Sequence, residues 1–338
     1  MRAVVVETPG QLAVVDVPEP VPRAGEAVVK VRAAGICGTD LHIVAGEFPP
    51  APYPLVPGHE FAGEVVALGP DVPEPSQGGV AVGDRVAVDP SLFCGRCRFC
   101  RTGRGNLCEH WGATGDTVNG AFAEYVAVPI ANCYRLPEAM TWRQGALVEP
   151  LSCAVHGVRR IGVEAGERFL IIGAGTMGLL LQQLLQRHGA QVLVVDRNPD
   201  RLPLAAKLGA AGTATDVTEL AGERWDAAID ATGAPEAVEA AFNALDRGGR
   251  LLVFGVAEAA ARTMVSPFRI YNDEITIVGS MAVLDSFSRA LQLIATGAIE
   301  VDPLVSHELP LTEFPQALEL VRSGRGVKVQ VSPTASTS

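Results

Sequence analysis

The sequence predicts an α/β protein of two domains, a β-rich one followed by a parallel α/β sheet, with a last segment that returns to the first. Two observations carry this expectation. The chain of 338 residues exceeds the length at which one hydrophobic core usually stops growing. Its patterning also changes near Thr141, from strands separated by turns to short apolar strands alternating with helices.

Segments 2–6, 26–34, 60–69, 84–88 and 121–128 read as strands, and turn-rich stretches such as 18–25 and 47–57 separate them, which is the texture of a barrel-like β domain. From Arg168 the strand 169–172 leads into a helix over 177–187, and the strand 191–195 into a helix over 201–208. The strand 225–230, a helix over 236–245 and the strand 250–255 continue the alternation. Strands apolar on both faces with helical crossovers predict a parallel sheet, which 275–279 ends or extends. A helix over 287–295, a strand at 305–309, an amphipathic run at 314–322 and a last strand at 327–331 are expected to complete the first domain, and the tail 333–338 to fray. The expected domains are therefore 1–140, 141–279 and the return segment 280–338.

Acidic residues outnumber basic ones by 38 to 27, giving a formal charge of -11. Arg96, Arg98, Arg101 and Arg104 lie among cysteines instead of along a stripe, and only Lys30, Lys207 and Lys328 are lysines. A nucleic-acid partner needs concentrated positive charge to neutralise phosphates, so none is expected. The N-terminus lacks the order of a signal peptide, and the most apolar region, 169–185, carries Gly173, Gly175, Gly178 and two glutamines, unlike a membrane span. A cytoplasmic protein without membrane contact is expected.

Gly173-Ala174-Gly175-Thr176-Met177-Gly178 sits between a strand and a helix. There the first glycine permits a tight turn, the second lets backbone N–H groups approach a pyrophosphate, and the third lets the helix pack closely on the sheet. Asp196 ends the following strand, where a carboxylate accepts both hydroxyls of an adenosine ribose and repels a 2'-phosphate. The expected cofactor is NAD in preference to NADP. Arg197 is positioned to stack on adenine or, after rearrangement, to meet a phosphate.

Cys94, Cys97, Cys100 and Cys108 form a C-x2-C-x2-C-x7-C loop. Four thiolates fill a tetrahedral zinc and leave no position for substrate, so this metal is structural; iron–sulfur coordination and two disulfides are the alternatives that spacing leaves. Cys133 and Cys153 read as small buried apolar groups. A second set, Cys37-Gly38-Thr39-Asp40-Leu41-His42 with Gly58-His59-Glu60, offers a thiolate and an imidazole that would leave a metal open to an exogenous oxygen. On spacing alone, a buried cysteine with a structural histidine is an equal reading, and Glu60 is as readily a solvent-facing strand carboxylate.

Together with Glu149-Pro150, these motifs resemble the medium-chain, zinc-containing alcohol/polyol dehydrogenase family over essentially the full chain. The resemblance implies a GroES-like catalytic domain and a Rossmann coenzyme domain, with two zinc ions per subunit. It assigns Cys37, His59 and one of Glu60 and Glu149 to the catalytic zinc, the other glutamate binding directly or through water. It places Asp40 behind His59, and makes Thr39 and His42 a relay for the substrate's hydroxyl proton while the carbon-bound hydrogen leaves as hydride to the nicotinamide. It is closest to the sorbitol, arabinitol, butanediol and threonine dehydrogenases, so a small polyol or vicinal diol is the expected substrate. Threonine or a simple secondary alcohol is the alternative, and a non-catalytic NAD(P)-binding protein is the reading of another class. A homotetramer, or a homodimer, is implied in the same way.

Overall fold

The computed structural model describes residues 1–333; the tail expected to fray lies outside the described residues from position 334 onward. Two compact units form, one from residues 1–152 with 283–333 and the other from 153–282.

The first unit is built on a seven-stranded mixed sheet. Its order is Val305–Pro310, Lys328–Ser332, Glu26–Ile36, Glu60–Leu68, Arg85–Val88 and Cys133–Arg135, with Tyr125–Pro129 also paired to Glu26–Ile36. The long strand Glu26–Ile36 is the hub because its valines and alanines are buried along most of its length. Lys328–Ser332 joins it antiparallel, with Val329 opposite Ile36, so a strand from the C-terminal segment lies against the first third of the chain. Phe61, Phe122 and Phe314, all almost fully buried, bind the sheet, its loops and the helix Phe314–Arg322 into one core.

Three sequence expectations shift here. The strand expected at 121–128 begins only at Tyr125, because the preceding residues zip onto another loop: Gly120 N donates to Val56 O at 2.7 Å, Ala121 N to Gly58 O at 2.9 Å and Phe122 N to Pro57 O at 2.9 Å. The helices Gly38–Ala45 and Val148–Ile161 were not foreseen; the latter carries Glu149 in its first turn and Arg159 and Arg160 in its last, matching the helix dipole. The units divide at Ser152, later than the change of texture at 141. The intervening turn belongs to the β-rich sheet: a Cβ on Gly145 would lie 2.7 Å from Ala62, and Gln330 Nε2 donates to Arg143 O at 3.0 Å.

The second unit is a six-stranded, wholly parallel sheet. Its order is Gly212–Ala214, Gln191–Val195, Arg168–Ile172, Trp225–Asp230, Leu245–Val253 and Thr276–Gly279. The chain starts in the middle, winds outward to one side and then crosses to the other. The order therefore reverses between Arg168–Ile172 and Trp225–Asp230, and ligand crevices of open α/β sheets lie at the carboxyl ends of such strands.

Candidate active site and metal clusters

Cys37 follows the hub strand and starts the helix Gly38–Ala45, while His59 and Glu60 stand at the entry of the neighbouring strand. Antiparallel pairing sets Gly35 opposite Glu60, and this register brings the two motifs together. One ligand atom each from Cys37, His59 and Glu60 lie within 4.8 Å of one another. A thiol, an imidazole and a carboxylate so converged could hold a zinc ion, and three protein ligands would leave a coordination position for substrate. Glu60 is 1% exposed, so it is not the solvent-facing carboxylate that its strand position also allowed.

Lys328, which sequence reading had not singled out, reaches Glu60 across the hub strand. Its Nζ donates to Glu60 Oε1 at 2.8 Å, to Oε2 at 2.6 Å and to Ile36 O at 3.1 Å, so all three ammonium protons are used. Gly35 makes the space: a Cβ there would sit 2.1 Å from Glu60 Oε2. Burial alone would depress the Lys328 ammonium, but Glu60 first, then Cys37 and Glu149, hold it above its ordinary range. Glu149 is 8% exposed in the first turn of Val148–Ile161 and stands outside the three-ligand set.

Asp40 is completely buried, and its Oδ2 accepts from Cys37 N at 2.8 Å, closing the helix start. Burial, countered by His59 and the Cys37 N–H, pushes its carboxyl up to about 7. Its Oδ1 stands 3.8 Å from His59 Nδ1, but Asp116, also missed in the sequence, is nearer, with Oδ1 at 3.0 Å from the same nitrogen. Burial opposes a charged His59 ring, yet Asp116 and Asp40 raise it well above its ordinary value. Thr39 and His42 are three residues apart on one helix and so share a face. The Cys37 thiol lies 3.8 Å from Thr39 Oγ1, and His42 Nδ1 lies 2.9 Å from Glu47 Oε2.

The four-cysteine loop closes on itself. Its Sγ atoms are 3.5 Å apart for Cys97 and Cys100, 3.9 Å for Cys97 and Cys108 and 4.0 Å for Cys94 and Cys100. A tetrahedron with metal–sulfur bonds of about 2.3 Å has edges of about 3.8 Å, so the spacing fits one zinc and is far too long for disulfides. Backbone N–H groups of Cys94, Cys97, Cys100 and His110 point at these sulfurs at 3.3–3.5 Å. Such donors lower Cys97 to about 6, whereas burial and the neighbouring thiols push Cys100 up to about 12. A cation relieves that conflict.

In the second unit Gly173 has φ 111°, and a Cβ on Gly178 would lie 1.8 Å from Gly173 O, so both glycines are demanded by the turn. Gly175 caps the helix Thr176–Arg187, whose first residues Thr176 and Met177 present N–H groups at the sheet's switch point. Asp196 accepts from Ala174 N at 2.7 Å and Asn198 N at 2.8 Å. Arg197 is exposed, and Arg201, which sequence reading had not named, lies 3.6 Å from Asp196.

Residues 23–138 match the model of the alcohol dehydrogenase GroES-like domain, and residues 176–296 that of the zinc-binding dehydrogenases. Among curated relatives, D-arabinitol dehydrogenase 1 of Uromyces fabae is 39% identical over 98% of this chain and 97% of its own. D-altritol 5-dehydrogenase of Agrobacterium fabrum is 38% identical over 93% and 91%. A solved structure from Sinorhizobium meliloti, bound to NADP, superposes with a TM-score of 0.92 at 37% identity over 98% of this chain and 99% of that one.

Proposed function

The chain belongs to the zinc-containing medium-chain alcohol/polyol dehydrogenase family and is a zinc-dependent dehydrogenase using a nicotinamide cofactor, and from this we propose that it interconverts a secondary hydroxyl of a small polyol or vicinal diol with the ketone, preferring NAD. The observation that carries the proposal is the convergence of Cys37, His59 and Glu60 within 4.8 Å beside the Thr39 hydroxyl. Polyols are favoured because the two curated relatives reported above are a D-arabinitol and a D-altritol dehydrogenase.

When bound, zinc supplies Lewis-acid polarisation of the substrate oxygen and the nicotinamide accepts or returns the hydride. Cys37, His59 and one of Glu60 and Glu149 would hold the catalytic ion, and Cys94, Cys97, Cys100 and Cys108 a second, structural one. Thr39 Oγ1 takes the hydroxyl proton and passes it toward His42, which the Glu47 carboxylate orients through Nδ1. Asp40 fixes the Cys37 backbone. Gly173, Gly175, Gly178 and the N–H groups of Thr176 and Met177 would receive the pyrophosphate, and Asp196 the ribose hydroxyls.

The test is turnover of the zinc-loaded enzyme on pentitols, hexitols, vicinal diols, threonine and apolar secondary alcohols, each with NAD and NADP. Highest kcat/KM is expected for a polyol or diol with NAD. Strong activity confined to an apolar alcohol or threonine rejects the substrate assignment, and equal or better selectivity for NADP rejects the role of Asp196.

The assembly we propose is a homo-oligomer, a tetramer with a dimer as the smaller alternative. Thr276–Gly279 is the outer strand of a parallel sheet, and the nearby Met264, Phe268, Tyr271 and Ile277 are 82%, 70%, 83% and 42% exposed. Open backbone groups beside exposed apolar side chains are what a second copy would cover. Ile277→Asp is expected to lower the mass measured by light scattering; an unchanged mass places the contact elsewhere. No helix among the described residues is long and apolar enough to cross a membrane, and cysteines outside disulfides suit the reducing cytoplasm proposed as its compartment.

A further inference from the structure

The turn at 112–120 is pressed onto the turn that carries His59. Gly115, at φ 90°, comes so near that a Cβ would lie 2.2 Å from Gly58 O, and one on Gly120 would lie 2.3 Å from the same oxygen. Gly58, at φ 102°, is itself confined by Phe122, and Asn119 Oδ1 accepts from Val56 N at 3.0 Å. Any side chain at these glycines would push the turns apart.

What this close approach delivers is the carboxylate of Asp116. Its Oδ1 lies 3.0 Å from His59 Nδ1, with both side chains more than nine-tenths buried. Neither atom makes an aligned hydrogen bond, and among the described residues the carboxylate makes none to its own turn, so closing that turn does not account for it. Asp40 shares the ring nitrogen only at 3.8 Å, and its other oxygen is committed to Cys37 N. Asp40 is thus shared between the thiol and imidazole sides of the site, whereas Asp116 faces the imidazole.

We infer that Asp116 is a positioning residue of the catalytic metal centre, bracketing the His59 ring with Asp40 at Nδ1 so that Nε2 is the nitrogen turned toward the metal. The inference rests on the assignment of Cys37 and His59 as ligands. A carboxylate behind a ligating imidazole fixes its tautomer and orientation and raises its donor strength, and removing such a partner weakens metal binding by about 10- to 100-fold.

The experiment compares wild type, Asp116→Asn, Asp116→Ser, Asp40→Asn and Cys37→Ser. Zinc affinity at each cluster is measured by competition with a chromophoric chelator, and the visible ligand-field bands are recorded after cobalt replaces the catalytic ion. Asp116→Asn keeps the side chain's shape, so the turn is retained. It is expected to lose about 10- to 100-fold in affinity at the catalytic cluster, to leave the four-cysteine cluster unchanged and to shift the cobalt bands. Asp116→Ser should reproduce the loss, which makes the result independent of one variant's folding.

Wild-type affinity and bands in both Asp116 variants overturn the inference, as does an equal loss at both clusters, which would report general loosening. Cys37→Ser separates the two layers of the proposal. If that variant still binds the catalytic ion, the ligand assignment itself fails; if it does not, while the Asp116 variants bind as wild type, only the role of Asp116 falls.

Discussion

Cys37→Ser is expected to lower kcat/KM by at least about 10³-fold, which corresponds to about 4 kcal/mol of lost transition-state stabilisation. The reason is charge. A serine hydroxyl stays protonated near neutral pH, where a metal-bound cysteine is a thiolate, so the substitution removes an anionic ligand from the proposed three-member set. The fold should survive, because Cys37 occupies the N-cap of Gly38–Ala45 and serine is among the better residues there. Metal analysis should find the four-cysteine cluster still loaded and the Cys37 cluster depleted. Wild-type turnover after verified loss of the catalytic ion would reject the mechanism.

Lys328→Met is expected to destabilise the protein by about 3–5 kcal/mol, the usual cost of leaving one member of a buried ion pair without its partner. Lys328 is 3% exposed and Glu60 1%, and Nζ meets both carboxylate oxygens as well as Ile36 O. Methionine fills a similar volume but neutralises nothing, so Glu60 would be an uncompensated anion under the hub strand. The denaturant midpoint of the first unfolding transition should fall with an unchanged slope. The double variant Lys328→Met, Glu60→Gln should recover part of the loss, since no charge then remains stranded. A single-variant change of less than about 1 kcal/mol would mean that water or the metal already compensates Glu60.

Neither partner advertised this pairing. Lysine is rare in the chain, and Lys328 stands among the apolar residues of a terminal strand, 268 residues from Glu60. The pattern KVQVS alternates polar and apolar residues as a half-exposed strand does, and only the structure buries both of its faces, so that the lysine needs a counter-charge. Asp116 was less visible still, because a polar residue between glycines reads as an ordinary turn. Gly115 and Gly120 are each required by the close approach to Gly58 O, which no local pattern discloses.

Read alone, the amino-acid sequence determined the strand–glycine–helix turn at Gly173 to Gly178, the four-cysteine loop and the alternation that builds the parallel sheet. These are local: chelate spacing, positive φ and apolar periodicity act within a few residues of backbone. The tertiary structure alone decided that Asp116 joins Asp40 at His59, that Glu60 is locked to Lys328, and that Arg201 stands beside Asp196. Those contacts depend on strand register and on how closely two turns can approach. Both are set by the packing of distant segments, where a displacement of one residue would turn every side chain concerned to the opposite face.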